Sequence, residues 1–92
     1  MTKIKSIQIH ITGRVQNVGF RFNAQDTALK LGLNGFVTNK PDGSVYIEVE
    51  GAEDAINRFL IWCHQGPDWA RVTGVNMVEQ DIRGYEGFYI KK

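Results

Sequence analysis

Residues 7–21 have the sequence Ile-Gln-Ile-His-Ile-Thr-Gly-Arg-Val-Gln-Asn-Val-Gly-Phe-Arg. Isoleucines at alternate positions predict a β-strand with one buried face, and Gly13 predicts its end. From Phe20 onward, apolar residues recur at helical spacing until Gly32, which predicts a helix that stops there. The stretch therefore predicts a strand, a loop and the start of a helix.

The rest of the chain continues this alternation of strands and helices. Its predicted elements are a strand at 36–39, a hairpin turn at 40–43, a strand at 45–50, a helix from 53 to the Gly66-Pro67 pair, an irregular strand at 71–81 and a short strand at 88–90. The order βαββαβ predicts an α+β sandwich in which two helices cover one face of an antiparallel sheet. Right-handed crossovers place strand three between strands one and two, which brings the loop before Arg21 close to Asn39.

The composition of the chain limits the classes of function. Its 92 residues, 42% hydrophobic and 23% charged, predict a single globular domain over residues 1–92, with a monomer as the simplest expectation. Eleven Lys and Arg against ten Asp and Glu argue against binding to nucleic acid or to an anionic membrane. A single cysteine, Cys63, and the lack of a signal-like apolar run after Met1 predict a cytoplasmic protein.

The loop between the first strand and the first helix has the features of a phosphate cradle. Backbone N–H groups in a strand-to-helix loop can converge on an anion at the helix N-terminus. Gly13, Asn17 and Gly19 tolerate the positive φ that such a loop requires, and Arg21 adds a cation with forked donors. The same pattern is also compatible with a tight turn that carries a surface arginine.

Comparison with other phosphate-binding loops narrows the chemistry. This loop lacks the Gly-Lys-Ser/Thr ending that holds nucleotide phosphates and magnesium, which disfavours nucleotide hydrolysis. Val15 stands six positions before Arg21, where a cysteine phosphatase has its nucleophile, so the attacking group is predicted to be water. Because no His, Cys and carboxylate cluster has metal-ligand spacing, neither a metal nor another cofactor is expected.

Several short runs resemble the acylphosphatase family, and the likeness extends over nearly the whole chain. The matching residues are Gly13 to Arg21, Ala28, Leu31-Gly32-Leu33, Gly35-Phe36-Val37-Thr38-Asn39, Asp42-Gly43-Ser44-Val45 and Gly51. The resemblance implies a ferredoxin-like fold and the hydrolysis of acyl phosphates, which are small-molecule substrates, to carboxylate and inorganic phosphate. By position, Arg21 matches the phosphate-binding arginine of the family and Asn39 matches its water-orienting asparagine. The cradle amides of the family match those of Arg14, Val15, Gln16, Asn17, Val18 and Gly19.

The implied reaction needs few catalytic groups. An acyl phosphate leaves as a carboxylate, whose conjugate acid has a pKa of about 4, so no general acid is required. Since Asn39 cannot take a proton, a phosphoryl oxygen of the substrate is expected to accept it. No residue identifies the acyl group, so broad specificity is expected. Asn17, where the family usually has glycine, is the departure that bears most on the loop.

Two other functions stay open from the sequence. A ferredoxin-like sheet can bind RNA by stacking bases on strand aromatics, for which Tyr46, Phe88 and Tyr89 are available. A phosphate loop can also serve as an anion sensor without turnover. Residues expected to have packing, surface or structural roles are Trp62, Trp69, His10, His64 and Cys63.

Overall fold

Strands and helices alternate along residues 3–92, the part of the chain that the computed structural model describes. The elements are β1 (Ile4–Arg14), α1 (Phe20–Lys30), β2 (Asn34–Asn39), β3 (Val45–Ala52), α2 (Glu53–Gln65), β4 (Arg71–Gln80) and β5 (Phe88–Lys91). Every predicted element is present. β1 runs one residue past Gly13, and β2 begins two residues before the predicted start.

The strands form one sheet in the order β4-β1-β3-β2-β5. β3 lies between β1 and β2, as the crossover argument predicts, and it pairs with both in antiparallel register. The predicted ferredoxin-like α+β fold is therefore confirmed. β5 adds a feature that the sequence did not indicate, because it pairs parallel to β2 at the sheet edge opposite β4.

The hydrophobic core lies between the sheet and the two helices. Alternate residues of β1 and β3 face the helices, so that Ile9 and Ile47 are fully buried as a cross-strand pair. The side chains that the helices bury against them are Phe20, Ala24 and Ala28 from α1, and Ile56, Phe59 and Cys63 from α2. Ala55 and Trp62 of α2 are partly buried and pack against the margin of this core.

The predicted irregularity of β4 is a bulge beside the end of β1. Gly13 pairs with Val72, whereas the residue before it pairs with Gly74, so Thr73 falls outside the register. The close approach requires glycine, since a Cβ at position 13 would lie 2.1 Å from the Arg71 carbonyl oxygen. The φ of 122° at Gly13 also favours glycine. The bulge therefore sets the direction in which the chain leaves the sheet and enters the loop.

The segment between β4 and β5 crosses the sheet face that the helices leave open, and Glu50 holds it there. The buried Glu50 carboxylate accepts hydrogen bonds from the backbone N–H groups of Arg83, Gly84 and Tyr85, the last two at 3.0 Å, and from the Ser6 hydroxyl at 2.9 Å. Burial raises the pKa of Glu50, but these donors outweigh it and hold the pKa below its ordinary value. The contacts carry the chain to the far edge of the sheet, where β5 begins.

Candidate active site

The loop from β1 to α1 adopts the backbone conformation that its residues predict. Asn17 has a φ of 62° and Gly19 a φ of 77°, and Gly19 is the residue that precedes α1. α1 begins without a side-chain cap, and no backbone N–H of residues 15–19 donates to a backbone carbonyl of residues 3–92. Loop and helix donors are therefore free of backbone partners beside the positive end of the helix dipole.

A pocket of about 270 Å³ joins this loop to the ends of β2 and β5. Its lining residues are Val15, Asn17, Gly19, Phe20, Arg21, Phe22, Asn39, Ile90 and Lys92. The structure thus brings Arg21 and Asn39 together, as the predicted strand order requires. Of the other predicted cradle residues, Arg14 ends β1 on the surface, Gln16 turns toward the hairpin and Val18 faces a neighbouring cavity beside Trp62.

Asn39 is the last residue of β2, where it pairs with Val45 of β3. Its side-chain oxygen is buried and accepts no hydrogen bond from residues 3–92. A buried acceptor without a donor costs about 1–3 kcal/mol, so such atoms are rare outside functional sites. Asn39 also lines the pocket, so its amide lies at the pocket wall with this acceptor unpaired among residues 3–92.

The Gln16 side chain links the loop to the hairpin that follows Asn39. Its Nε2 donates to the carbonyl oxygens of Lys40 at 2.7 Å and Ser44 at 2.9 Å. Ser44 in turn donates its hydroxyl to Asp42 at 2.5 Å, and its Oγ lies 2.8 Å from His10 Nε2. His10 thus has the structural role that was expected. The bonds of Gln16 hold the two chain segments of the pocket in one arrangement.

Four lining residues were not among the predicted site residues: Phe20, Phe22, Ile90 and Lys92. Phe22 lies on the side of α1 that the helical period assigns to solvent, and it is 68% exposed. Ile90 and Lys92 belong to the end of the chain, whose place beside β2 depends on the crossing segment. The only sequence feature that could have indicated this part of the pocket was the position of Phe22, a large apolar residue, next to Arg21.

Of the other residues expected to have packing, surface or structural roles, Trp62 and Cys63 pack in or against the core and His64 is exposed on α2. Trp62 packs against Phe20 and Phe59 with ring centroids 5.1 and 5.9 Å apart, and Cys63 is buried. Burial raises the pKa of the Cys63 thiol. The packing role predicted for Trp69 was wrong, because it lies in the turn before β4 and is 80% exposed.

The strand aromatics proposed for RNA stacking are largely engaged elsewhere. Phe88 is buried in the core, and Tyr46 packs on Phe36 while its hydroxyl donates to Glu48 at 2.8 Å. Within residues 3–92 no set of three His, Cys, Asp or Glu side chains converges as a metal site. Neither of the described helices is long and apolar enough to cross a membrane.

The fold and the pocket define a class of protein, a ferredoxin-like domain with a pocket beside the loop that precedes its first helix. The Acylphosphatase family model matches residues 7–90. An acylphosphatase of Thermotoga maritima is 46% identical over 88 residues, which cover 96% of this chain and 98% of that protein. The crystal structure of acylphosphatase from Bacillus subtilis has a TM-score of 0.93 at 35% identity, covering 98% of this chain and 100% of that chain.

A longer protein contains a similar domain. Full-length HypF, in a phosphate- and nucleotide-bound crystal structure, matches 100% of this chain with 12% of its own, at 32% identity and a TM-score of 0.88. The chain therefore belongs to the acylphosphatase family. The predicted enzyme class, an acylphosphatase, is confirmed by the family model and the curated relatives.

Proposed function

We propose that this domain, residues 1–92, hydrolyses the carboxyl–phosphate bond of acyl phosphates by direct in-line attack of water. Arg21 and the backbone amides of residues 14–19 bind the phosphoryl group, and Asn39 positions the water. The observation that supports this assignment most is the pocket that joins Arg21, the loop and the unpaired Asn39 acceptor. The family supplies the reaction class, and the geometry supports the roles of these residues.

The phosphoryl group binds at the N-terminal end of α1. The backbone N–H groups of the loop and the first turn of the helix donate to its oxygens, and the helix dipole favours its negative charge. Arg21, in the first turn, adds a guanidinium whose forked donors match two phosphoryl oxygens. Charge stabilisation of this kind is the main requirement of phosphoryl transfer.

The attacking water donates one hydrogen to the Asn39 side-chain oxygen. This contact leaves a lone pair of the water directed at phosphorus, which gives the in-line placement that the reaction requires. The bond from water to phosphorus forms as the bond from phosphorus to the carboxyl oxygen breaks. The carboxylate leaves with the electron pair, and a phosphoryl oxygen accepts the proton of the water, because an amide cannot.

The test compares variants of Arg21 and Asn39 with matched control variants on α2. Arg21→Ala should weaken inhibition by inorganic phosphate and nearly abolish turnover. Arg21→Lys should restore only part of the phosphate inhibition and of the turnover, because lysine lacks the forked donors of the guanidinium. Asn39→Ala should lower kcat on the order of a hundred-fold while phosphate inhibition is largely kept. Arg58→Ala and Asn57→Ala, both exposed on α2, should behave like the unaltered protein.

Phosphate release from acetyl phosphate, with circular dichroism to show that each variant is folded, measures these effects. A folded Asn39→Ala variant with normal kcat would refute the water-positioning role. A folded Arg21→Ala variant with unchanged phosphate inhibition would move the anion site away from the loop. A wild-type protein that binds phosphate without turnover would favour the alternative of an anion-sensing module.

A further inference from the structure

The wall of the pocket beyond Arg21 and Asn39 is not used by the proposed mechanism. Phe22 follows Arg21 on α1 and leaves 68% of its surface exposed, although it is one of the largest apolar side chains of the protein. It lines the same pocket as Arg21. An exposed aromatic ring next to an anion site forms a surface on which an apolar ligand group can be buried.

Ile90 completes this wall from the other side of the pocket. It pairs with Val37 in the parallel ladder between β5 and β2, so the end of β5 runs beside the end of β2, where Asn39 lies. Ile90 is partly buried against the core and is therefore held in place, while its remaining surface lines the pocket. The pocket thus has a polar end at the loop and an apolar wall made by residues from α1 and β5.

This division matches the two halves of an acyl phosphate. When the phosphoryl group is held by the loop and Arg21, the acyl group must extend into the remaining pocket or toward solvent. We propose that Phe22 and Ile90 form an acyl subsite, which makes the enzyme prefer acyl phosphates with an aromatic or extended aliphatic acyl group over acetyl phosphate. The inference rests on the proposed function, because it places the phosphoryl group at the loop.

The experiment measures kcat/KM for benzoyl phosphate and acetyl phosphate in the unaltered protein and three variants. The ratio of the two values is compared between proteins, so that the intrinsic reactivity of each substrate cancels. Loss of a hydrophobic contact changes discrimination by about ten-fold or more in a closed pocket, and this wall is open. We therefore expect Phe22→Ala to lower the benzoyl-to-acetyl ratio by roughly five-fold to ten-fold, which is at or just below the lower limit for a closed pocket.

Phe22→Leu keeps an apolar side chain and should retain part of the preference. Leu29→Ala is the matched control, since Leu29 is 54% exposed on the same helix and does not line the pocket. Its ratio should equal that of the unaltered protein. Because Phe22 is largely exposed, its variants should fold, and circular dichroism checks this.

The outcomes separate the subsite from the proposed function. If the unaltered protein hydrolyses neither substrate, the proposed function fails. If it hydrolyses both and Phe22→Ala leaves their ratio unchanged, only the subsite is refuted. A preference for succinyl phosphate that disappears in Lys92→Ala would also overturn the proposal, because the wall would then recognise negative charge.

Discussion

Replacement of Gln16 by Glu tests whether the loop and the hairpin must be held together for catalysis. Gln16 Nε2 donates to the carbonyl oxygens of Lys40 and Ser44, which flank the turn after Asn39. Glutamate has the same shape but, when ionised, presents only acceptor oxygens to those carbonyls. The substitution therefore removes both hydrogen bonds and replaces them with repulsion, while the backbone amide of the loop is unchanged.

The expected loss of stability follows from these two bonds. A neutral hydrogen bond contributes about 0.5–1.5 kcal/mol, so the pair contributes roughly 1–3 kcal/mol. The lower half of that range is expected, because one bond is exposed and both carbonyls keep a second donor, Gly43 N–H for Lys40 and Lys40 N–H for Ser44. A loss of about 1–2 kcal/mol corresponds to a fall in Tm of roughly 4–16 °C for a domain of this size.

The loss of activity should exceed the loss of folded protein. The bonds hold Asn39 in place relative to the loop, and a displacement of about 1 Å in a reacting group can cost about a hundred-fold in rate. We expect Gln16→Glu to lower kcat by about ten-fold to a hundred-fold at a temperature where the variant is folded.

Gln25→Ala is the matched control for Gln16→Glu. Its amide makes a similar bond of 2.9 Å to the Phe88 carbonyl, away from the pocket. Loss of this hydrogen bond in Gln25→Ala should lower Tm with little change in kcat. Thermal unfolding and phosphate release measure both quantities, and a Gln16→Glu variant that loses stability but keeps kcat would refute the positioning role.

Two further predictions concern stability. The folded-state pKa of Glu50 is depressed, so its contribution is present above the unfolded pKa of about 4.3 and is lost as pH falls through the folded value. The free energy of unfolding, measured with urea, should therefore decline between about pH 6 and pH 3, and it should decline less in Glu50→Gln than in the unaltered protein. An equal decline in both proteins would contradict the stabilising role of the ionised Glu50. Asn17 has a positive φ, so Asn17→Gly should change the free energy of unfolding by less than about 1 kcal/mol, whereas the β-branched Asn17→Val should lose more. Equal Tm values for these two variants would contradict this prediction, because the loop would then change its backbone conformation at position 17 and avoid the strain.

Local features of the chain were predictable because they depend on neighbouring residues. The alternation of residues 7–11 predicted which face of β1 is buried, and Asn17 and Gly19 have the positive φ that their residue types suggested. The irregularity of β4 was also predicted, from apolar residues that break phase. Its cause, the contact of Gly13 with the backbone of Arg71, required the paired strand.

Features that depend on distant contacts were missed. The parallel pairing of β5 with β2 depends on the segment between β4 and β5, which Glu50 anchors. The sequence pattern indicated only that Glu50 lies on the polar side of a strand. Trp69 was expected to be a packing residue, but its turn directs it to solvent. An aromatic side chain alone does not predict burial, since burial depends on which surfaces meet.

The sequence by itself determined the order of the elements, the loop with its arginine, the resemblance to acylphosphatases and, through crossover handedness, the proximity of Arg21 to Asn39. These follow from backbone sterics, periodicity and short motifs, which act over a few residues. Only the tertiary structure decided that the Asn39 oxygen is unpaired, that Gln16 ties the loop to the hairpin and that Ile90 faces the pocket. Each of these depends on strand register and on side-chain contacts between segments far apart in the chain, which local patterns do not specify.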